Sequence, residues 1–384
     1  MLQIEHIYEF LYKNLFFDQH LSHFPGGVPS DKINIDWPDV ITYCKDDNYS
    51  TPWILFYDQE PMFEQYLEKY LTLWKDSNLN LRIMSGEKSE VSKQFNDFYY
   101  FYHGFAALDW FRGFKILNYN KKIVKSYSKD FISFNRLIKD DRSYRIYFVS
   151  QLIENNILDN GSISFSVADQ KQDWKEEIEN KHSKMSDQAK RKAIFSLGNR
   201  NIKQLSLDGN SLAGSHSADI LRPAVGYLNW KVDYNADAFW HIVTETVFYY
   251  DKLHLTEKIF KPIVSKQPFM LLAAPGNLAY LRSYGFKTFE GIIDESYDLI
   301  KDNDARVEAV VSQLKWYCDL SDSEKTEIQR KCEPIVEHNF HHFYGKFKEI
   351  ITDELLDNTK KLFKDIDYDD SGVDYATVRK LLTS

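Results

Sequence analysis

The sequence predicts an α/β protein of two domains, on three observations. The chain has 384 residues, more than one hydrophobic core organises. Short runs rich in aromatic and β-branched residues alternate with helical stretches in both halves, the rhythm of parallel βα units. A polar stretch, Lys121-Lys122-Ile123-Val124-Lys125-Ser126, separates the halves. The expected domains are residues 1–122 and 123–350, followed by a C-terminal helix and acidic tail over 351–384.

In the first domain the expected strands are Trp53 to Tyr57, Leu81 to Met84 and Phe98 to Tyr102. The second opens with strand Phe131 to Phe134. A helix follows from about Arg142, with Ile146, Val149 and Ile153 on one side, and then strand Ile163 to Ser166. Residues 168–200 are charged and read as a solvated helical insertion.

Strand text resumes at Phe239 to Val243. A helix starts at Thr256, whose side chain is a natural N-cap, and Pro262 is expected to kink it. Phe269 to Ala273 is the next strand, Asn277 to Tyr284 a helix ended by Gly285, and Phe286 to Phe289 a short strand. From about residue 304 the pattern is helical, and Ser321 with Glu324 forms a capping box ahead of Ile328.

Composition narrows the function classes. Aromatic residues make up 16% of the chain, enough for both cores and flat ligands. A formal net charge of -9 argues against a nucleic-acid binder that works by broad phosphate neutralisation. Three scattered cysteines, Cys44, Cys318 and Cys332, make no disulfide framework and no CxxC metal pair, which favours a reducing, cytoplasmic compartment. The first residues lack the pattern of a secretory signal, and no apolar run reaches membrane-spanning length, so no transmembrane segment is expected.

The chemistry-bearing text lies between Glu245 and Lys258. Leu255-Thr256-Glu257-Lys258 stands at a helix start, with Pro275-Gly276 after the next strand. A diphosphate needs positive charge and free N–H groups. A helix N-terminus supplies the N–H groups and a favourable dipole, and Lys258 adds a full charge in the first turn. Glu245 and Glu257 are acceptors for ribose or sugar hydroxyls. Met alone, the tripeptide Thr256-Glu257-Lys258 is only a capped helix start.

His241 to Glu245, Leu255 to Pro262, Gln267 to Met270 and Pro275-Gly276 together resemble the donor-binding core of the fucosyltransferase and exostosin-like glycosyltransferases. The resemblance covers roughly residues 131–150 and 239–290. It implies a GT-B fold, two facing Rossmann-like domains, and inverting sugar transfer from a nucleotide sugar without a bound metal or other cofactor. The implied donor is GDP-fucose, and the implied acceptor an oligosaccharide or glycan hydroxyl.

Carried onto this chain, the resemblance places Glu257 on the donor ribose, Lys258 on the pyrophosphate and Glu245 facing the donor. It also implies a basic residue after the domain's first strand: Arg145, with Arg142 and Arg136 as alternatives. Arginine suits this role because its planar fork holds two phosphate oxygens. In the first domain, Asp58-Gln59-Glu60-Pro61 follows a buried strand, where ligands meet open α/β sheets. Glu60 is the candidate base, Asp58 the second and His103 the third, with Asp109 placed to line an acceptor cleft. The tail segment Asp365 to Gly372 resembles the start of an EF-hand loop but lacks the closing glutamate, position 378 being Val. The remaining readings are a transferase of the same fold with another nucleotide sugar, and a non-catalytic nucleotide- or glycan-binding protein.

Overall fold

The computed structural model describes residues 6–7, 10–11, 20–23, 53–57, 61, 81–90, 92–94, 97–115, 119–120, 127–135, 137–165, 173–181, 183–198, 200 and 237–384. The chain is mixed α/β and divides into two compact units, one of residues 1–109 with 346–384 and the other of residues 110–345. The first unit therefore takes its residues from both ends of the chain.

In the first unit four strands form a parallel sheet in chain order: β1 (His20–His23), β2 (Trp53–Tyr57), β3 (Leu81–Ser85) and β4 (Asp97–Tyr99). The strand expected over Phe98 to Tyr102 ends at Tyr99, and Tyr102 instead begins helix α1 (Tyr102–Trp110). This helix is buried from Tyr102 to Asp109, so no amphipathic period marks it in the sequence. Gly104 lets it approach Phe347 closely, since a Cβ there would stand 2.9 Å from the Phe347 ring.

The second unit carries another parallel sheet. Its strands are β5 (Lys129–Asn135), β6 (Gly161–Phe165), β7 (Ala238–Thr244) and β8 (Phe269–Leu272), in the spatial order β8-β7-β5-β6. Phe131 pairs with Gly161 on one side and Trp240 on the other, and His241 pairs with Phe269. Every residue of β7 is buried, as a central parallel strand covered on both faces requires. Trp240 is fully buried against Phe239, Phe289 and Tyr317, and a side chain of that size contributes about 2–3 kcal/mol through burial.

Helix α2 (Tyr144–Glu154) is buried from Tyr144 to Ile153. The charged insertion holds α3 (Trp174–Glu179) and α4 (Asp187–Leu197). It is not wholly solvated, because Ala189, Ala193 and Leu197 are buried and α4 packs on α2. Helix α5 (Glu257–Val264) follows β7, with Pro262 inside it, and α6 (Asn277–Ser283) follows β8. Gly285 closes α6 at φ +90°, as the expected C-terminal glycine does.

Phe286 to Phe289 is not a strand. Asn339 takes the Lys287 backbone N–H and carbonyl, and Glu295 takes the Phe289 N–H at 2.6 Å, so side chains satisfy the groups a neighbouring strand would have used. Two long helices, α7 (Asn303–Cys318) and α8 (Asp322–His342), follow, and the Ser321–Glu324 capping box is formed.

Helices α9 (Lys348–Asp365) and α10 (Tyr375–Thr383) belong to the first unit, where α9 packs on β4 and bonds the Tyr99 carbonyl through Asn358 at 2.6 Å. The acids between them serve local structure. Asp369 accepts the Ser371 N–H, Asp370 accepts the Tyr375 hydroxyl, and Asp374 caps α10 through Thr377.

Candidate functional site

The order β8-β7-β5-β6 reverses direction between β5 and β7. The chain steps from β5 to β6 on one side and returns to place β7 on the other. In open α/β sheets the crevice beyond the carboxyl ends of two such strands is where ligands bind. Here those ends carry Asn135 on β5 and Thr244, Glu245 and Thr246 at the close of β7.

Glu245 is fully buried and anchors the start of α5. One carboxylate oxygen accepts the Thr256 N–H at 3.2 Å. The other accepts the Thr256 hydroxyl at 2.6 Å and the Thr246 N–H at 3.3 Å. Burial pushes the Glu245 carboxyl above its ordinary range, and Lys258 and the Thr256 bonds pull against that. Its carboxylate is thus occupied by protein donors, and it sets the helix start without itself facing open space.

Thr256 is the N-cap, and its hydroxyl accepts the Lys258 N–H at 3.3 Å. The Lys258 ammonium folds back over this turn, reaching Thr256 Oγ1 at 3.0 Å, Thr246 Oγ1 at 3.2 Å and Glu257 Oε1 at 3.2 Å. Its side chain keeps 26% exposure, whereas that of Glu257 keeps 8%. The result is a cation held at a helix N-terminus by two hydroxyls and one carboxylate, on a side chain that is partly exposed.

Arg145 stands at the same switch point but faces inward. It is 2% exposed and donates to the carbonyls of Leu137 at 2.8 Å, Thr244 at 2.7 Å and Glu245 at 3.3 Å, while its Nε has no hydrogen-bond partner among the described residues. It therefore ties the segment after β5 to the end of β7. Arg142 lies half-buried on the turn Asp140–Arg142, next to Asp141. Arg136 lies outside the described residues, as do Asp58 and Glu60.

Several contributors went unread in the sequence. Tyr144 donates its hydroxyl to the Glu245 carbonyl at 2.6 Å and stacks on Phe248 at 3.9 Å. The buried Arg306 covers the other ring at 4.2 Å. Arg306 also donates to the Phe248 carbonyl at 2.7 Å, so the loop after β7 is pinned between two helices. At the end of β5, Asn135 is fully buried, and its Oδ1 has no hydrogen-bond partner among the described residues. The readable signal was a polar residue closing an apolar strand, Phe134-Asn135.

Pro275-Gly276, the last part of the predicted site, lines an open groove of about 340 Å³ together with residues 251–253, 298, 299 and 301. The carboxylate of Asp298 fills the start of α6 by accepting the Leu278 N–H at 3.1 Å. His241, inside β7, is held neutral: burial lowers it to about 3, and Gln267 lies 3.3 Å from its Nδ1. In the first unit His103 and Asp109 are both buried on α1, with the His103 ring edge-on to Tyr102. Among the described residues, no cluster of three or more His, Cys, Asp or Glu is placed to hold a metal ion, and no helix is long and apolar enough to cross a membrane. No protein-family model, curated protein or solved structure matches the chain.

Proposed function

We propose that the chain is a glycosyltransferase that moves a sugar from a nucleotide-sugar donor to a glycan hydroxyl with inversion. The observation that carries this reading is Lys258. Its ammonium lies about 3 Å from three oxygens at the first turn of α5, and that turn is locked by buried Glu245 beside the switch point of a parallel sheet. The GT-B class, the fucosyltransferase and exostosin-like kinship, and GDP-fucose as donor belong to the same proposal.

In this mechanism the acceptor oxygen bonds to the anomeric carbon, and the bond from that carbon to the diphosphate breaks. The electron pair leaves on the phosphate oxygen. The acceptor proton passes to a base, for which Glu60, Asp58 and His103 are the candidates, with Asp109 the candidate acceptor residue. Lys258 meets charge that grows as the diphosphate departs, so it stabilises the transition state more than the bound donor. Arg145 acts as a positioning residue. Its bonds to the Thr244 and Glu245 carbonyls hold the strand end from which Lys258 is presented. The positive charge comes from the protein, and transfer is expected to persist in EDTA.

The test is nucleotide release from a panel of GDP-, UDP-, CMP- and dTDP-sugars by the wild type and Lys258→Ala. One donor is expected to turn over, with the variant slowed about 100-fold or more. Saturable binding of one donor without turnover would assign the chain to the non-catalytic nucleotide-binding class, and equal rates would remove Lys258 from the role.

A further inference from the structure

Helix α4 (Asp187–Leu197) presents a face that nothing in the proposed chemistry uses. Phe195 is 90% exposed and Ile194 53%, the two large hydrophobic side chains that this helix exposes. Arg191, Ile194, Phe195 and Gly198 recur at helical spacing and are all exposed. The opposite face is fixed: Ala189, Ala193 and Leu197 are buried, and Lys192 is held by Glu308 at 2.7 Å and the Tyr147 hydroxyl at 3.2 Å. The apolar pair therefore cannot roll inward without breaking that packing.

The charge around it is the reverse of the chain's. Between Lys181 and Arg200 lie six cations, Lys181, Lys184, Lys190, Arg191, Lys192 and Arg200, and one carboxylate, Asp187, in a protein of net charge -9. A protruding aromatic and an aliphatic side chain beside the exposed Arg191, on a segment whose cations outnumber its carboxylates, match an interface that is apolar just below an anionic surface. A sugar polymer would use the ring but gain little from Ile194, and a peptide helix would need a groove where this face projects.

We propose that this face of α4 docks the protein on anionic lipid bilayers, with Phe195 and Ile194 entering the headgroup boundary and Arg191 and its neighbours meeting lipid phosphates and carboxylates. The contact is peripheral and reversible, because two side chains bury little apolar area. The attraction between Arg191 and its neighbours and the lipid anions is between exposed charges, so salt screens it and binding weakens as salt rises.

The test is flotation of the full chain with vesicles of phosphatidylcholine alone, and with about 30% phosphatidylserine, at about 50 and about 500 mM NaCl. The expected result is flotation only with the anionic vesicles at low salt. Phe195→Ser and Arg191→Glu should each weaken it by about fivefold or more. Both side chains are exposed, so the variants should melt as the wild type does. Equal flotation with neutral vesicles, no flotation at all, or flotation insensitive to both substitutions would overturn the proposal. So would a dimer in light scattering that Phe195→Ser dissolves, which would assign the face to a second copy of the chain.

Discussion

The Thr256 hydroxyl lies 2.6 Å from one oxygen of the buried Glu245 carboxylate, and the backbone N–H of the same threonine lies 3.2 Å from the other. One residue thus satisfies both oxygens of a fully buried acid and caps the helix that presents Lys258. The bond couples a β-strand end to a helix start across eleven residues of chain.

Thr256→Val keeps the shape of the side chain but removes the hydroxyl. It leaves one Glu245 oxygen with only the Thr246 N–H at 3.3 Å and strips the helix of its cap. The cost is about 2 kcal/mol, the sum expected for a lost cap and a poorly satisfied buried oxygen. In a unit of this size that lowers the melting temperature by roughly 4–8 °C. Thr256→Ser should recover most of the loss. A valine variant that melts with the wild type would show that the Glu245 bond contributes nothing.

This coupling was half legible in the sequence. A threonine before Glu-Lys at the edge of an apolar period is a local signal, so the helix start and its cap were readable, as were β5, β7 and β8 from their buried runs. What Glu245 does was not readable, because its partners depend on how a ten-residue loop folds back. Arg145 is the sharper case. The sequence placed a basic residue at the right point, but its direction is set by carbonyls 99 and 100 residues further along the chain. The two misread strand segments share one cause: buried aromatics such as Tyr102 and Phe289 look alike in helix, strand and loop when every side of the segment is covered.

Arg145→Met should separate holding from binding. It removes the Arg145 donor from the Leu137 and Thr244 carbonyls in a buried place and leaves the Glu245 carbonyl with the Tyr144 hydroxyl, which costs about 3 kcal/mol. The melting temperature falls by roughly 6–12 °C. Lys258→Ala, which removes a side chain that is 26% exposed, should shift it by about 2 °C or less. Thermal melts of the two variants side by side check the division. Equal shifts would mean that Arg145 does not hold the strand end.

Asp97 gives the first unit a pH dependence of its own. Burial pushes its carboxyl up from 3.8 to about 7, with nearby Glu87 adding to the rise and Ser85 and Ser92 opposing it. Its Oδ1 has no hydrogen-bond partner among the described residues. Because the folded state holds the proton more tightly than the unfolded chain, Asp97 favours folding below pH 4. That contribution is lost as pH rises from about 4 through about 7, where the carboxyl must ionise in place. Ionising it there costs on the order of a few kcal/mol. Asp97→Asn removes the proton equilibrium and should therefore raise the melting temperature at pH 8, leave it nearly unchanged at pH 4, and flatten the slope between them. Melts of both proteins across that range decide the matter. Parallel curves would mean that Asp97 ionises as freely in the folded protein as in the unfolded chain.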